Sequence, residues 1–230
     1  MGGGIIHGAG QVDAVGGHPR KVVELARLSP LRWRAHAEVP LFLADRWLDL
    51  LYIAFLRGMN VPGRSVKMEY LRSLFTDMGF DSVRSYIQSG NVFFESGETD
   101  RAALSDRIGG HLGETLGYEV AVCLRTVPEL EALIALDPFR DVTVTRDMRC
   151  CVVFTTERID PDLALPMISP KKDMEIMGST EYDAFVVWYL INGKAPAAKG
   201  FQERALGRDA TTRYFHTVVK ILDAAKKGAS

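Results

Sequence analysis

The sequence is poor in cysteine, has no excess of either charge and lacks long apolar runs. Its 230 residues include three cysteines, too few and too odd a number for a dense disulfide framework. Lysine and arginine total 28 against 29 aspartate and glutamate residues, which excludes nucleic-acid binding driven by bulk positive charge. No apolar run approaches the roughly 20 residues of a membrane helix, and the N-terminus lacks the pattern of a secretory signal. We therefore expect a soluble, cytoplasmic protein with no membrane partner.

Motifs of catalysis and metal binding are missing as well. The sequence has no Gly-x-Ser-x-Gly elbow, no Walker loop and no His-Glu-x-x-His motif. Cys150 and Cys151 are adjacent in a predicted strand and point to opposite faces, which suits neither a zinc knuckle nor a redox pair. His111 and His216 have no visible acid–base partner. We predict no metal and no cofactor, and the sequence leaves open whether the chain is an enzyme.

Residues 1–50 form a predicted leader with weak periodicity and many glycines. Gly8 and Gly10 begin a dinucleotide-loop pattern, but Asp13 stands where its third glycine would fall. We therefore interpret 1–50 as a poorly structured leader. A further hypothesis is that the native protein begins near Leu51 and that the upstream codons come from a misplaced start.

From residue 51 onward, the apolar periodicity predicts two units of strands and helices. The first, residues 51–125, has the order strand, helix, two strands, helix and strand, which is that of a split βαβ or ferredoxin-like unit. The second, residues 126–230, repeats this order more loosely, and its prolines allow only a short helix after its first strand. The predicted fold class is α+β, with two ferredoxin-like units packed together behind a poorly structured N-terminal leader.

Local signals predict the boundaries of these elements. Ser65 and Thr99 are expected to cap the first two helices, and Thr126 with Glu129 is spaced as a capping box for the third. The link between the second and third strands is expected to be the tight pair Ser89-Gly90. The fourth strand is expected over residues 118–124.

Polar residues gather in the loop after the first strand, in the turn between the second and third strands, and near the C-terminus. The candidate ligand-binding residues are Arg57, Asn60, Lys67, Gln88, Ser89, Asn91, Thr212 and Arg213. The three basic side chains would supply charge, and the amide and hydroxyl groups would orient the ligand. The alternative is that these glycines and asparagines serve only the turns. Topology alone does not place both loops in one pocket.

Three motifs carry a family resemblance: RGMNVPG at 57–63, YIQSGNV at 86–92 and ATTR at 210–213. They resemble the pattern RGINVGG, YIQSGNV and ATTRNW of a bacterial family catalogued as domain of unknown function 1697. Pro62 replaces a family glycine, and Tyr214-Phe215 replaces Asn-Trp. The resemblance covers about residues 51–225. It implies two ferredoxin-like units in one chain and no known activity.

We expect the chain to bind a small anionic or nucleotide-like ligand through these loops. One alternative is a single-stranded RNA-binding module in which Tyr52 and Phe93 on the sheet face stack on bases. Asn91 at a position that should be aromatic, and the absence of net positive charge, argue against a nucleic-acid partner. Another alternative is a protein-interaction module whose exposed sheet edge pairs with a partner. The sequence does not specify an oligomeric state.

Overall fold

The structure is a computed structural model that describes residues 50–59, 63, 65–197 and 200–228. The predicted leader, apart from its last residue, and the predicted site residue Asn60 lie outside the described residues. The described part of the chain forms two antiparallel sheets and five helices, so the predicted α+β class is confirmed. None of these helices is both long and apolar enough to cross a membrane.

The first unit has the βαββαβ order that its sequence predicts. Its elements are β1 (Leu50–Leu56), α1 (Met68–Asp77), β2 (Asp81–Tyr86), β3 (Asn91–Ser96), α2 (Arg101–Leu116) and β4 (Val122–Thr126). The strands lie in the order β2-β3-β1-β4, and all neighbours are antiparallel, as in a ferredoxin-like sheet. Both helices pack on one face of this sheet through apolar residues such as Leu71, Phe75, Leu104 and Ile108.

The second unit begins with α3 (Val127–Ala135). Its elements are β5 (Met148–Phe154), β6 (Met167–Ile168), β7 (Met174–Ser179), β8 (Asp183–Tyr189), α4 (Phe201–Leu206), β9 (Thr211–Tyr214) and α5 (Phe215–Lys226). The sheet order is β6-β7-β8-β5-β9, so β7-β8-β5-β9 repeats the order of the first sheet. The expected short helix after β5 does not form, because Pro161 and Pro166 interrupt that segment and cannot donate backbone hydrogen bonds.

A shared core joins the two sheets. Phe55 of β1 and Phe154 of β5 stack with their ring centroids 3.9 Å apart. Helices α3 and α5 add Leu130, Leu133 and Ile221 to the same cluster. Each such side chain contributes about 1.5–3 kcal/mol when it is buried, so this cluster holds the two units together.

Two helices begin at different residues from those predicted. Helix α1 starts after Lys67 rather than after Ser65, because Val66 packs into the core and keeps the chain extended there. Asp100, not Thr99, caps α2, and its carboxylate accepts two backbone N–H groups of the first turn. A carboxylate at this position also interacts favourably with the positive end of the helix dipole.

The turn between β2 and β3 is longer than predicted. It comprises the four residues 87–90 rather than Ser89-Gly90 alone. Ile87 has a φ of 49°, a conformation that a β-branched residue rarely adopts. The strand alternation therefore ends at Tyr86, and the rest of the YIQSGNV motif shapes the turn.

Strand β4 begins at Val122, four residues later than predicted. It pairs with β1, whose last residue Leu56 lies opposite Val122, so residues 118–121 have no strand to join. At its other end, the predicted capping box of Thr126 and Glu129 is confirmed, and it marks the change from β4 to α3.

Candidate functional site

Polar residues from three distant segments meet where β1 and β9 end. We call this group the junction; it consists of Arg57, Ser89, Asn91, Gln202, Glu203, Thr212 and Arg213. Three stretches of the chain supply these side chains: the loop after β1, the β2–β3 turn with the first residue of β3, and the segment from α4 to β9. Five of the eight predicted site residues therefore lie in one connected group.

Arg213 is the centre of the junction and is 9% exposed. Its Nε donates to Asn91 Oδ1 at 2.7 Å, and its Nη2 donates to the carbonyl oxygens of Ser89 at 2.8 Å and Leu56 at 3.1 Å. Its Nη1 donates to two oxygens within β9. A guanidinium has five N–H donors, so all of them are occupied by the protein. Arg213 can contact a ligand only by giving up one of these bonds.

Burial lowers the pKa of Arg213 to about 10, because desolvation penalises the charged guanidinium. The group remains protonated at neutral pH. Its described hydrogen-bond partners are carbonyl, amide and hydroxyl oxygens, and no carboxylate is among them. The junction thus contains a buried positive charge that no acidic side chain of the described residues balances directly.

Asn91 and Gly90 hold the β2–β3 turn against the loop after β1. The Asn91 side chain is fully buried, and its Nδ2 donates to Ser89 Oγ at 2.8 Å and to a β2 carbonyl oxygen at 3.1 Å. Gly90 has a φ of 71°, and a Cβ there would lie 2.6 Å from the Met59 Cγ. Only glycine permits this close approach.

Arg57 lies at the rim of the junction, with 38% of its side chain exposed. Its Nη2 donates to Glu203 Oε1 at 2.8 Å. The neighbouring Gln202 is buried and donates from Nε2 to Thr212 Oγ1 at 3.1 Å, while its Oε1 has no partner among the described residues. The rim therefore combines a half-exposed cation with a buried oxygen that lacks a donor.

The other predicted residues are placed less centrally. Gln88 is exposed and adjoins Ser89 in the β2–β3 turn. Lys67 is exposed at the start of α1, and no described contact joins it to the junction. Asn60 lies outside the described residues. The structure thus brings both motif loops and β9 together but leaves Lys67 apart.

Sequence reasoning missed a second buried arginine, Arg125 of β4. It is 2% exposed, and its Nε donates to Asp183 Oδ1 at 2.9 Å. Its Nη2 donates to the carbonyl oxygens of Tyr182 at 2.6 Å and Thr155 at 3.2 Å. We call Arg125, Thr155, Tyr182 and Asp183 the second cluster.

Each of the two arginines binds the unit to which it does not belong. Arg213 of the second unit binds the end of β1 and the β2–β3 turn, whereas Arg125 of the first unit binds the end of β5 and the β7–β8 turn. Arg213 lies over the Phe55 ring at 5.7 Å, and Arg125 lies over Phe154 at 5.5 Å. The sequence contained a signal that the two arginines are equivalent, since each directly precedes the N-cap of a helix. Each arginine also faces the first residue of a strand of the opposite unit, which is Asn91 of β3 for Arg213 and Asp183 of β8 for Arg125.

A groove of about 600 Å³ opens outside the junction. It lies between α2, β4 and residues 155–157, and none of the eight predicted site residues lines it. The predicted site and this groove are therefore separate features.

The sheet-face alternative for RNA is not supported. Tyr52 is 3% exposed and lies in the core beneath α1 and α2, while Phe93 is 1% exposed and lies in the core between the sheets. Neither ring is available to stack on a base.

Comparisons with known proteins agree with the motifs and the fold. No curated protein matches the chain. The structure of the conserved bacterial protein SP0830 from Streptococcus pneumoniae is 24% identical, covers 76% of this chain and 98% of its own, and has a TM-score of 0.58; this likeness concerns the fold alone. The family model described as "Protein of unknown function (DUF1697)" matches residues 51–184, more than half of the chain, although the ATTR motif lies beyond the match. The chain therefore belongs to the DUF1697 family.

Proposed function

We propose that the chain binds a small anionic or nucleotide-like ligand at the junction. The observation that carries this proposal is the convergence of polar residues from three motifs. Arg213 and Asn91, for example, are 122 positions apart, and their side chains share a hydrogen bond. Side chains of these types recognise anions and amides better than they fill a core.

In this proposal, the residues of the junction have two kinds of role. Arg57 contacts the anion, because it is half exposed and Glu203 accepts from only one of its terminal nitrogens. Arg213 and Asn91 act as positioning residues, because their donors are already bound within the protein. The remaining predicted residues would orient the ligand: Asn60, Lys67, Gln88, Ser89 and Thr212.

We propose binding rather than a reaction. Among the described residues of the junction, Ser89 Oγ accepts from Asn91 and Thr212 Oγ1 accepts from Gln202. Neither hydroxyl has a described hydrogen bond to a general base that would activate it. The one carboxylate present, that of Glu203, is held by Arg57.

Thermal-shift measurements test this proposal with a panel of inorganic phosphate, pyrophosphate and nucleoside triphosphates. A ligand at a hundred times its Kd stabilises the folded state by about 2.7 kcal/mol. For a chain of this size, that corresponds to an increase in Tm of about 5–10 °C. If no member of the panel shifts the Tm at millimolar concentration, the proposal is wrong.

A matched pair of variants tests whether a ligand that shifts the Tm binds at the junction. Arg57→Ala should abolish the shift, because it removes the accessible cation of the junction. Arg158→Ala is the control, since Arg158 is also an exposed arginine paired with a glutamate, Glu181, outside the junction. Equal shifts in both variants would place the ligand elsewhere.

We also propose that the protein acts in the cytoplasm. Cys123, Cys150 and Cys151 are all unbridged, which suits a reducing compartment. Cell fractionation should recover the native protein with the cytosolic fraction, and recovery with the membrane fraction would contradict this.

A further inference from the structure

The outer face of the second sheet, which points away from the core between the sheets, is covered less completely than its counterpart in the first unit. There, α2 joins β3 to β4 and has 16 residues, whereas α4 joins β8 to β9 at the equivalent place and has 6. Helix α4 packs on the outer face through Phe201 and Leu206, but Tyr214 at the end of β9 remains 37% exposed. One end of this face is therefore open to solvent.

Three aromatic side chains lie in contact at this open end, and we call Trp188, Tyr214 and His216 the aromatic row. The rings of Tyr214 and His216 stack with their centroids 5.7 Å apart and their planes 23° from parallel. Trp188 of β8 meets Tyr214 edge to face at 6.2 Å. His216, in the first turn of α5, is exposed. Exposed rings in a contiguous group offer faces on which planar groups such as nucleobases stack.

Cationic side chains flank the aromatic row. Arg149 lies opposite Trp188 in the β5–β8 register, and its described hydrogen bonds go to carbonyl oxygens. Lys220 is exposed one turn after His216 on α5. The turns before β7 and after β8 lie at the same end of the sheet and carry three exposed lysines: Lys171, Lys172 and Lys194. Within the described residues, none of these five cations forms an ion pair.

The carboxylates at this end of the sheet are fewer and have partners. Asp147 pairs with the adjacent Arg146, and Asp173 accepts a hydrogen bond from Ser169 Oγ at 2.6 Å. Glu175 lies on the opposite face of the sheet. The local charge is therefore positive, although the chain as a whole has a net charge of −1. The complementary partner combines negative charge with planar aromatic groups.

We infer that the aromatic row and its flanking cations bind single-stranded nucleic acid. Bases stack on the exposed rings of Tyr214 and His216, Trp188 supports the Tyr214 ring, and the cations contact phosphates. Strands β9, β5, β8 and β7 lie side by side, so at roughly 4.8 Å per strand this surface extends about 14 Å, enough for a few nucleotides. Stacking tolerates any base, so we expect no sequence preference.

This surface differs from the two considered above. The rings that the sequence suggested for base stacking, Tyr52 and Phe93, belong to the first sheet and are buried, whereas the aromatic row belongs to the second unit. None of its three residues is part of the junction, so the inference does not depend on the proposed function.

Fluorescence anisotropy with the full chain tests the inference. The probe is a labelled adenylate dodecamer, and the comparison probe is the same strand annealed to its complement, whose paired bases cannot stack on protein rings. The single strand should bind saturably at low salt and the duplex more weakly. Unlabelled dodecamer should displace the probe better than inorganic polyphosphate of equal charge, which has no bases. Absence of single-strand binding, or equal displacement by polyphosphate, overturns the inference.

Ring variants locate the stacking. Tyr214→Leu should weaken dodecamer binding about fivefold or more, whereas Tyr214→Phe keeps the ring and should bind as wild type does. Tyr70→Leu is the control, because Tyr70 is 48% exposed on α1 of the first unit. His216→Ala changes an exposed side chain and should also weaken binding. Wild-type affinity in Tyr214→Leu and His216→Ala, or an equal loss in Tyr70→Leu, overturns the inference.

The salt dependence tests the cations. Lys171→Ala should lower the slope of log affinity against log salt by about 0.7, the value for one phosphate contact with a single strand. Lys227→Ala is the control, since Lys227 is exposed at the other end of α5, and its slope should equal that of wild type. Arg57→Ala should leave dodecamer binding unchanged. An unaltered slope in Lys171→Ala, or loss of binding in Arg57→Ala, would contradict the assignment to this surface.

Discussion

The junction and the second cluster share an arrangement around a buried arginine but differ in the side chain that this arginine faces. Arg125 is paired with the carboxylate of Asp183, whereas Arg213 is paired with the amide of Asn91. The charge of Arg125 is therefore neutralised locally, and that of Arg213 is balanced only by dipoles of the described residues. One reciprocal arrangement therefore joins the two units, while only one of its halves contains a buried arginine that no carboxylate of the described residues pairs with. That half is the junction, where Arg57 is half exposed.

Removal of Arg125 should have the largest effect. Arg125→Met leaves the Asp183 carboxylate buried without its cation, which costs about 3–5 kcal/mol of unfolding free energy. Urea denaturation measures this loss. Arg146→Met is the control, because the pair of Arg146 with Asp147 is largely exposed and contributes at most about 1 kcal/mol. Similar losses in the two variants would show that the second cluster does not stabilise the fold.

Removal of Arg213 should cost less. Arg213→Met strands neutral acceptors, including Asn91 Oδ1 and the Ser89 carbonyl oxygen, and each buried acceptor left unsatisfied costs about 1–3 kcal/mol. We expect a total loss of about 2–3 kcal/mol in urea denaturation, at the low end of this range for the two acceptors, because an unpaired neutral group costs less than an unpaired charge. A larger loss than that of Arg125→Met would reverse the comparison between the two clusters.

A second difference between the clusters is the residue two positions before each arginine, which is a titratable thiol in only one of them. Cys123 and Thr211 each lie two residues before the arginine of their strand, and burial raises the pKa of the Cys123 thiol to about 11. Its contribution to stability is complete below pH 9, where the unfolded thiol is protonated, and is lost as the pH rises through about 11. The loss of unfolding free energy should be about 2–3 kcal/mol in wild type and smaller in Cys123→Ala. Identical pH profiles for the two proteins would contradict this assignment.

The smallest effect is expected from conversion of the junction into a copy of the second cluster. Asn91→Asp places a carboxylate beside Arg213 and should weaken pyrophosphate binding about three- to fivefold, because it cancels the local positive charge. Asp183→Asn makes the opposite change in the other cluster and should leave this affinity unchanged. Calorimetric titration compares them, and circular dichroism verifies that both fold. Equal pyrophosphate affinities in the two variants would show that the charge of Arg213 does not contribute to anion binding.

The order of strands and helices in the first unit was predictable because its boundaries carry local signals. Gly79 and Gly117, for instance, both follow their helices with positive φ angles, and Thr126 with Glu129 forms the expected capping box. The start of β4 was not predictable, because it depends on where β1 ends rather than on residues 118–121 themselves.

The residue types of the junction were predictable. That all hydrogen-bond donors of Arg213 would be occupied by the protein was not. Ser89, Asn91 and Arg213 stand out in the motifs as polar residues, yet the acceptors that occupy Arg213 are mostly backbone oxygens, some from distant residues, and a sequence pattern does not reveal these. Arg125 and Asp183 were missed because both lie outside the motifs and just beyond the ends of predicted strands, and their pairing is tertiary.

The most direct test of the proposed function is a calorimetric titration of pyrophosphate into wild type, Arg57→Ala and Glu203→Gln. Glu203 is paired with Arg57. If Arg57 binds the anion as proposed, neutralisation of Glu203 should tighten binding, and the loss of Arg57 should remove it. The account predicts the affinity order Glu203→Gln, then wild type, then Arg57→Ala. The same affinity in all three proteins, or tighter binding by Arg57→Ala, would contradict it.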